Sequence, residues 1–189
     1  MRIISGIYRQ KLLKSPKDNK TRPTQNRLRE TLFDICHNNI NNAVFLDIFA
    51  GTGAMGFEAL SRGASRVVFI DNHRPAIECI QYNIRTLGVE NCADVFNSDA
   101  MSILTKFAAM GKRFDIVFID PPYNATTMHN RNQEYYDDLV LEFFDENPIL
   151  NPSGMLFIES PRALARPLKT LTLKSSRPIG KTMLRQYVS

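Results

Sequence analysis

Three apolar runs of strand length, AVFLDIF (43–49), SRVVFID (65–71) and RFDIVFID (113–120), are separated by segments of helical periodicity. This alternation narrows the fold more than any other feature. Strands that are apolar almost throughout have no polar face to offer water, so they belong in a parallel sheet covered by helices on both sides. The intervening helices read as AMGFEALSRG, stopped by Gly63, then RPAIECIQYNIRTLG, with Pro75 in its first turn and Gly88 at its end. A weaker strand, CADVFN, and a helix, AMSILTKFAAMG, come before the run at 113–120. After it a polar loop is expected over 121–133, then a helix in EYYDDLVLEFFDEN and a strand in GMLFIES. LKTLTLKSS and TMLRQYV follow with no helix between them, which predicts an antiparallel finish. Upstream, MRIISGIYRQKLLKSP reads as a short hairpin with Gly6 near its turn. Leu28, Leu32, Ile35, Cys36 and Ile40 then mark a helical stripe for which Thr24 is the expected N-cap.

A chain of 189 residues is expected to form one globular domain, in which residues 1–23 are a basic hairpin arm and 24–189 the main body. No apolar run approaches the ~18 residues of a membrane span, and no signal-peptide core follows Met1, so a cytoplasmic protein is expected. Cys36, Cys79 and Cys92 are widely spaced and match no metal-ligand pattern with His37, His73 or His129, so no metal is expected. Charge is segregated. Residues 1–31 hold nine lysines and arginines against two acids, and residues 162–189 hold seven and no acid. The middle of the chain holds 17 acidic and 8 basic residues. Basic ends around an acidic centre suit a nucleic acid gripped from the periphery, with chemistry at the centre.

The first strand runs into FLDIFAGTGAMG, where Gly51, Gly53 and Gly56 satisfy G-x-G-x-x-G, and Asp71 follows 20 residues after Gly51. That spacing fits a dinucleotide site, with an acid for the ribose hydroxyls. Asp47 points elsewhere. An acid ahead of the glycines repels a pyrophosphate and suits a cation, such as S-adenosylmethionine, which carries a sulfonium and an ammonium and no phosphate. Asp99 adds an acid after the third strand, so Asp47, Asp71, Asp99 and Asp120 are expected on one rim of the sheet.

The run at 113–120 ends in Asp120-Pro121-Pro122-Tyr123. An exocyclic base amine is a poor nucleophile because its lone pair is delocalised into the ring. Acceptors facing both N–H bonds favour a pyramidal nitrogen, and Asp120 and the Pro121 carbonyl can provide them. Proline removes competing donors and stiffens the turn. Tyr123 offers a face for stacking a base extracted from its surroundings.

MRIISGIYRQKLL, TRPTQNRLRETLFDI, LDIFAGTGAMGFEALSRGAS and FDIVFIDPPY together resemble, in order, the blocks of bacterial 16S rRNA guanine-N2 methyltransferases of the RsmD type. The resemblance implies a Rossmann-like S-adenosylmethionine-dependent methyltransferase fold. That fold has a mostly parallel seven-stranded sheet with helices on both faces, an antiparallel last strand and an N-terminal β-hairpin. It implies methylation of N2 of one guanine in 16S rRNA, within assembled or partly assembled 30S subunits; a monomer is expected. Cofactor contacts would come from Asp47, Phe49, Ala50, Gly51 and Gly53, from Asp71 and Asn72, and from Asp99 and Ala100. Asp120, Pro121, Pro122 and Tyr123 would hold the target base. Arg9, Lys11, Lys14, Arg22, Arg27 and Arg29 are candidate RNA contacts; the last three stand equally for the cofactor's carboxylate. Rival readings are an adenine-N6 or cytosine-N4 methyltransferase, an NAD-dependent oxidoreductase and a non-catalytic RNA-binding assembly factor. The phenylalanines sit at core spacing, and His73 and His129 read as surface or capping groups.

Overall fold

A computed structural model describes residues 1–16, 23–122, 126–129, 132–163 and 167–189. In chain order the elements are α1 (Pro23–Ile35), β1 (Val44–Ile48), α2 (Ala54–Ser61), β2 (Arg66–Asp71), α3 (Arg74–Leu87), β3 (Ala93–Asn97) and α4 (Ala100–Ala109). They continue with β4 (Phe114–Ile119), β5 (Thr126–His129), β6 (Asn132–Tyr135), α5 (Tyr136–Glu146), β7 (Leu150–Ser160), β8 (Thr172–Ile179) and β9 (Thr182–Val188). Seven strands form one sheet in the order β3-β2-β1-β4-β7-β9-β8. The four junctions from β3 to β7 are parallel, while β9 runs antiparallel to both of its neighbours.

Strand alternation explains the two cores. Phe45, Phe69, Phe118 and Phe157 enter one cluster with Leu32 and Phe33 of α1 and Phe57 of α2. Leu46, Ile48, Val117, Ile119 and Ile158 enter the other with residues of α4 and α5, such as Leu104 and Phe144. Successive side chains of a strand point to opposite faces, so an apolar residue at nearly every position fills both clusters at once. The alternation of runs therefore does predict helices on both sides of a mainly parallel sheet.

Two local expectations are corrected. α1 begins at Pro23, so Thr24 lies inside the first turn and is not its N-cap; proline's fixed φ suits the first helical position and needs no N–H partner. The region 121–133 is not simply a loop, because β5 and β6 pair antiparallel from Thr126↔Tyr135 to His129↔Asn132. Its TTMH and NQEY segments lack the apolar alternation by which a strand is read from sequence.

Residues 1–16 fold back on themselves through an isolated antiparallel bridge, Arg2↔Leu12, and bury Ile3 and Leu13 in the first cluster. The Ile4 and Ser5 N–H groups donate to the fully buried Glu58 of α2 at 2.8 and 3.0 Å. The Ile7 N–H reaches the Ser61 carbonyl at 2.8 Å. Gly6 makes this approach possible. Its φ is +81°, and a Cβ there would fall 1.8 Å from the Ser61 oxygen. Gly56 is held as tightly from the other side, since a Cβ there would meet the Phe69 ring at 2.2 Å and Val67 Cγ1 at 2.6 Å.

Gly56→Ala is therefore expected to push α2 off β2 and to cost about 1–3 kcal/mol, the usual range for overpacking. At this chain length that lowers the thermal midpoint by about 2–12 °C. Thermal unfolding followed by circular dichroism checks it, and an unchanged midpoint contradicts the packing described.

Candidate functional site

The site begins with register. Ile70, Ile48, Ile119 and Ile158 lie side by side across β2, β1, β4 and β7. One residue earlier the row is Phe69–Asp47–Phe118–Phe157. One residue later each chain reaches the rim, with Asp71 on β2, Phe49 after β1, Asp120 after β4 and Glu159 on β7. The sheet continues as far as this row, because the Asp120 N–H donates to the Ile48 carbonyl at 3.3 Å and the Ala50 N–H to the Ile70 carbonyl at 3.0 Å. By strand alternation, Asp47, Asp71, Asp120 and Glu159 share the face of the phenylalanine cluster.

The glycine loop leaves the rim between Asp71 and Asp120, and the N–H groups of its three glycines are already committed. The Gly51 N–H donates to Asp71 Oδ2 at 2.7 Å, the Gly53 N–H to the Ala50 carbonyl at 2.7 Å, and the Gly56 N–H to Asp47 Oδ2 at 3.0 Å. The other Asp71 oxygen accepts the His73 N–H at 2.8 Å. Gly51 and Gly53 have φ of +54° and +74°, and Phe49 is itself at +61°. A bulky residue in the left-handed region is strained, and such strain gathers at ligand sites. Phe49 packs edge-on against Tyr136, with ring centroids 5.7 Å apart.

Asp47 lies in the base of the loop, 1% exposed, with its carboxyl turned to Gly56. Burial drives it well above the usual carboxylate range against the opposing Gly56 hydrogen bond, and the Asp120 and Asp71 charges add to the rise. Asp47, expected among the cofactor contacts, lies between Phe69 and Phe118 of the adjacent strands and anchors the loop from beneath. Asp99 caps α4, accepting the Ser102 N–H at 3.0 Å on one oxygen and the Tyr136 hydroxyl on the other. Burial raises its carboxyl, but these hydrogen bonds outweigh that and hold it below the ordinary value. Burial and Asp99 in turn push the Tyr136 hydroxyl up to about 12. Ala100 is buried behind this cap, and Asn72 is exposed at the rim.

Asp120 is half-buried, Pro121 buried and Pro122 exposed. Desolvation, then the neighbouring Glu159, push the Asp120 carboxyl up to about 8. Glu159 is 6% exposed and held by the Thr182 hydroxyl of β9 at 2.6 Å. Tyr123 lies outside the described residues, as does Arg22.

Of the candidate RNA contacts, Arg9, Lys11, Lys14 and Arg27 are exposed. Lys14 caps the Tyr82 ring of α3 at 4.6 Å, and its backbone exchanges two hydrogen bonds with Asn83. Arg29 is a correction. It is 2% exposed, donating to the Arg2 carbonyl and Asn26 and lying 3.8 Å from Glu58. It ties the N-terminal segment to α1 and α2, and its burial removes it from the surface that an RNA would meet.

Two residues of the arrangement escaped the sequence reading. Glu159 ends an apolar run just as Asp71 and Asp120 do, so the signal was present in GMLFIES. Tyr136 had no such signal, since its contact with Asp99 exists only once α5 has docked.

Comparison with known proteins comes after this geometry. The family model described as "Conserved hypothetical protein 95" matches residues 1–188. A Haemophilus influenzae protein named ribosomal RNA small subunit methyltransferase D is 31% identical over 191 residues, spanning 99% of this chain and 93% of that protein. A solved structure of a putative methyltransferase, yhhF, from Escherichia coli superposes with a TM-score of 0.81 at 32% identity, covering 99% of this chain and 96% of its own. A putative SAM-dependent methyltransferase from Streptococcus mutans shares the fold at 12% identity, with a TM-score of 0.69, over 88% of this chain and 49% of that one.

The raised Asp120 carboxyl has a consequence for stability. Between about pH 4 and about pH 8 it keeps its proton in the folded chain and loses it in the unfolded one. Folding stability from this group is therefore greatest below about pH 4 and falls as pH rises through the folded value. Asp120→Asn removes that penalty. Its thermal midpoint is expected to exceed the wild type's at pH 8, with the gap closing towards pH 4; a gap that does not vary with pH contradicts the assignment.

Proposed function

The chain belongs to the family described as "Conserved hypothetical protein 95", the RsmD-type family that its sequence blocks resemble, and on that footing we propose that it is an S-adenosylmethionine-dependent rRNA methyltransferase of the small ribosomal subunit. The finer reading is transfer to the exocyclic N2 amine of one guanine. The observation that carries it is the placement of Asp120 and Pro121 at the end of β4, immediately beside the glycine loop after β1.

The donor pattern of the loop supports this cofactor over a dinucleotide. Gly51, Gly53 and Gly56 have spent their N–H groups on Asp71, Ala50 and Asp47, so a pyrophosphate would meet carboxylates where it needs donors. An acidic rim suits a cationic nucleoside instead. When bound, S-adenosylmethionine supplies an electrophilic methyl group on a sulfonium.

The protein's contribution is positional. Asp71, fixed by the Gly51 and His73 N–H groups, keeps lone pairs for ribose hydroxyls, with Asn72 exposed beside it. Asp99 and Ala100 start α4 at the adenine end, where Tyr136 and Ser102 lock the Asp99 carboxyl. Phe49 and the turn through Ala50, Gly51 and Gly53 floor the methionine end. Asp120 and the Pro121 carbonyl accept the two N–H bonds of the target amine, and proline at 121 and 122 puts no competing backbone donor there. This orients the lone pair before reaction, which is how position lowers a barrier. Arg9, Lys11 and Lys14 lie on one segment docked against α2 and α3, available to phosphates.

Labelled methyl transfer to small subunits from cells lacking the protein tests the reading. Asp120→Ala should abolish transfer while leaving cofactor affinity within about tenfold, the mark of a group acting on the substrate amine. Loss of cofactor binding together with transfer contradicts that role. Replacing Lys11 and Lys14 by alanine should weaken binding to the subunit and flatten its log–log salt dependence by about 0.7–0.9 per lost phosphate contact. An unchanged slope means the N-terminal segment does not touch RNA.

A further inference from the structure

Residues 162–189 carry seven lysines and arginines and no acid, and the site as described uses none of them. Three are engaged within the chain. Arg162 reaches Asp137 and Asp138 at 2.6 and 3.1 Å, Lys169 lies 3.7 Å from Glu146, and Arg185 donates to the Ser160 carbonyl at 3.3 Å. Arg166 lies outside the described residues. Lys174, Arg177 and Lys181 are exposed and have no ion pair among the described residues.

Register places two of these three at the rim. Leu184 of β9 pairs with Glu159 on one side and with Arg177 on the other. Paired residues share a face, and Glu159 is level with Asp120 because Ile158 pairs with Ile119 one residue earlier. Arg177 is therefore in the row of Asp120 and on its side of the sheet, three strand spacings or about 14 Å across. Beyond that row β8 and β9 continue by two more pairs, Pro178↔Met183 and Ile179↔Thr182, into a two-residue turn of Gly180 and Lys181. Gly180 has a φ of +62°, as a tight hairpin turn that opens on glycine requires. The turn is anchored, since Ile179 is buried in the phenylalanine cluster and the Thr182 hydroxyl binds Glu159. Lys181 thus stands past the rim on a fixed support. A lysine on an edge strand discourages pairing with another chain, which is enough to explain Lys174, deeper along β8. It does not explain Lys181, which lies in the turn and outside the ladder.

We propose that Arg177 and Lys181 form a phosphate-binding edge of the site, holding the rRNA backbone a few nucleotides from the target base. The inference rests on the methyltransferase reading above and deepens it. The rim carries Asp71, Asp120 and Glu159, so it repels the backbone of the very strand whose base it takes in. The same row turns from acid to base at β8, where a cation offsets that repulsion without entering the pocket. A guanidinium binds a phosphate through two parallel hydrogen bonds and an ammonium binds it as a point charge, so the pair suits a backbone and reads no sequence. α1 packs on this face of β8, its Leu28 and Leu32 sharing a cluster with Ile179, and it carries the exposed Arg27. The edge therefore adjoins a residue already among the candidate RNA contacts.

The test measures binding to small subunits from cells lacking the protein, over a range of salt concentrations. Replacing Arg177 and Lys181 together by alanine should weaken binding and lower the log–log salt slope by about 1.4–1.8, the worth of two phosphate contacts. Lys169→Ala, ahead of β8 at its end away from the turn, should leave both affinity and slope as in wild type. An unchanged slope in the double variant overturns the proposal. So does an equal loss in Lys169→Ala, which would mark a general effect of net charge. A second arm identifies the partner. A photo-cross-linking analogue in place of Lys181, irradiated on the subunit, should join to rRNA; cross-links to ribosomal protein, or none, overturn the assignment to RNA. Absence of methyl transfer to these subunits by wild type would overturn the methyltransferase reading itself, whatever the slopes.

Discussion

Everything at the rim depends on the in-register parallel pairing of β2, β1, β4 and β7. Ile70, Ile48, Ile119 and Ile158 form one continuous apolar row, and that row decides which residues come next. Because side-chain direction has a period of two, a slip of one residue in any strand would carry its acid to the opposite face. The slip is resisted on both sides at once, since Phe45, Phe69, Phe118 and Phe157 fill one cluster and the isoleucines of the next row fill the other. Core packing and site geometry are thus a single constraint.

That constraint also explains how the protein tolerates so many acids together. Each carboxylate is given donors by the chain's own backbone or side chains: Asp47 by Gly56, Asp71 by Gly51 and His73, Asp99 by Ser102 and Tyr136, Glu159 by Thr182. Asp120 differs from these. Its carboxyl is pushed up to about 8 by desolvation and by Glu159. The acid assigned to hold the amine therefore stands on the rim without a donor of its own among the described residues, while Asp47, also raised by burial, is held by the Gly56 N–H. A group left wanting donors is better placed to bind them than one already satisfied.

Much of the architecture was legible in the sequence because apolar runs, glycine stops and acids at run ends are local signals. The runs ending in Asp71 and Asp120 show this most clearly, and the two late strands with no helix between them show the antiparallel return. What was not legible depended on contacts between distant segments. Arg29 looked like one more basic residue in a basic stretch, yet α1 turns it inward to Glu58 and the Arg2 carbonyl. The burial of Asp47 was not legible either, because its neighbours in the adjacent strands are phenylalanines, which sequence order does not reveal. The β5–β6 hairpin has backbone pairing without apolar alternation, so periodicity could not signal it.

The N-terminal segment shows that the same logic reaches beyond the sheet. Its basic residues are useful at a nucleic-acid surface only if the segment has a fixed position relative to the rim, and a short hairpin alone is marginal in water. Here the fixing is done by buried polar groups: Glu58 accepts the Ile4 and Ser5 N–H groups, Asn83 exchanges bonds with Lys14, and Ser61 binds both Ile7 and Tyr8. Glu58 and Ser61 lie on α2, the helix that the glycine loop begins. The thioether of Met1 also meets the hydroxyl of Thr52 within that loop, at 3.8 Å. The strands place the chemistry, and α2 links it to the charged segment through a short run of buried contacts. A shift of the segment would therefore be felt first at the glycine loop.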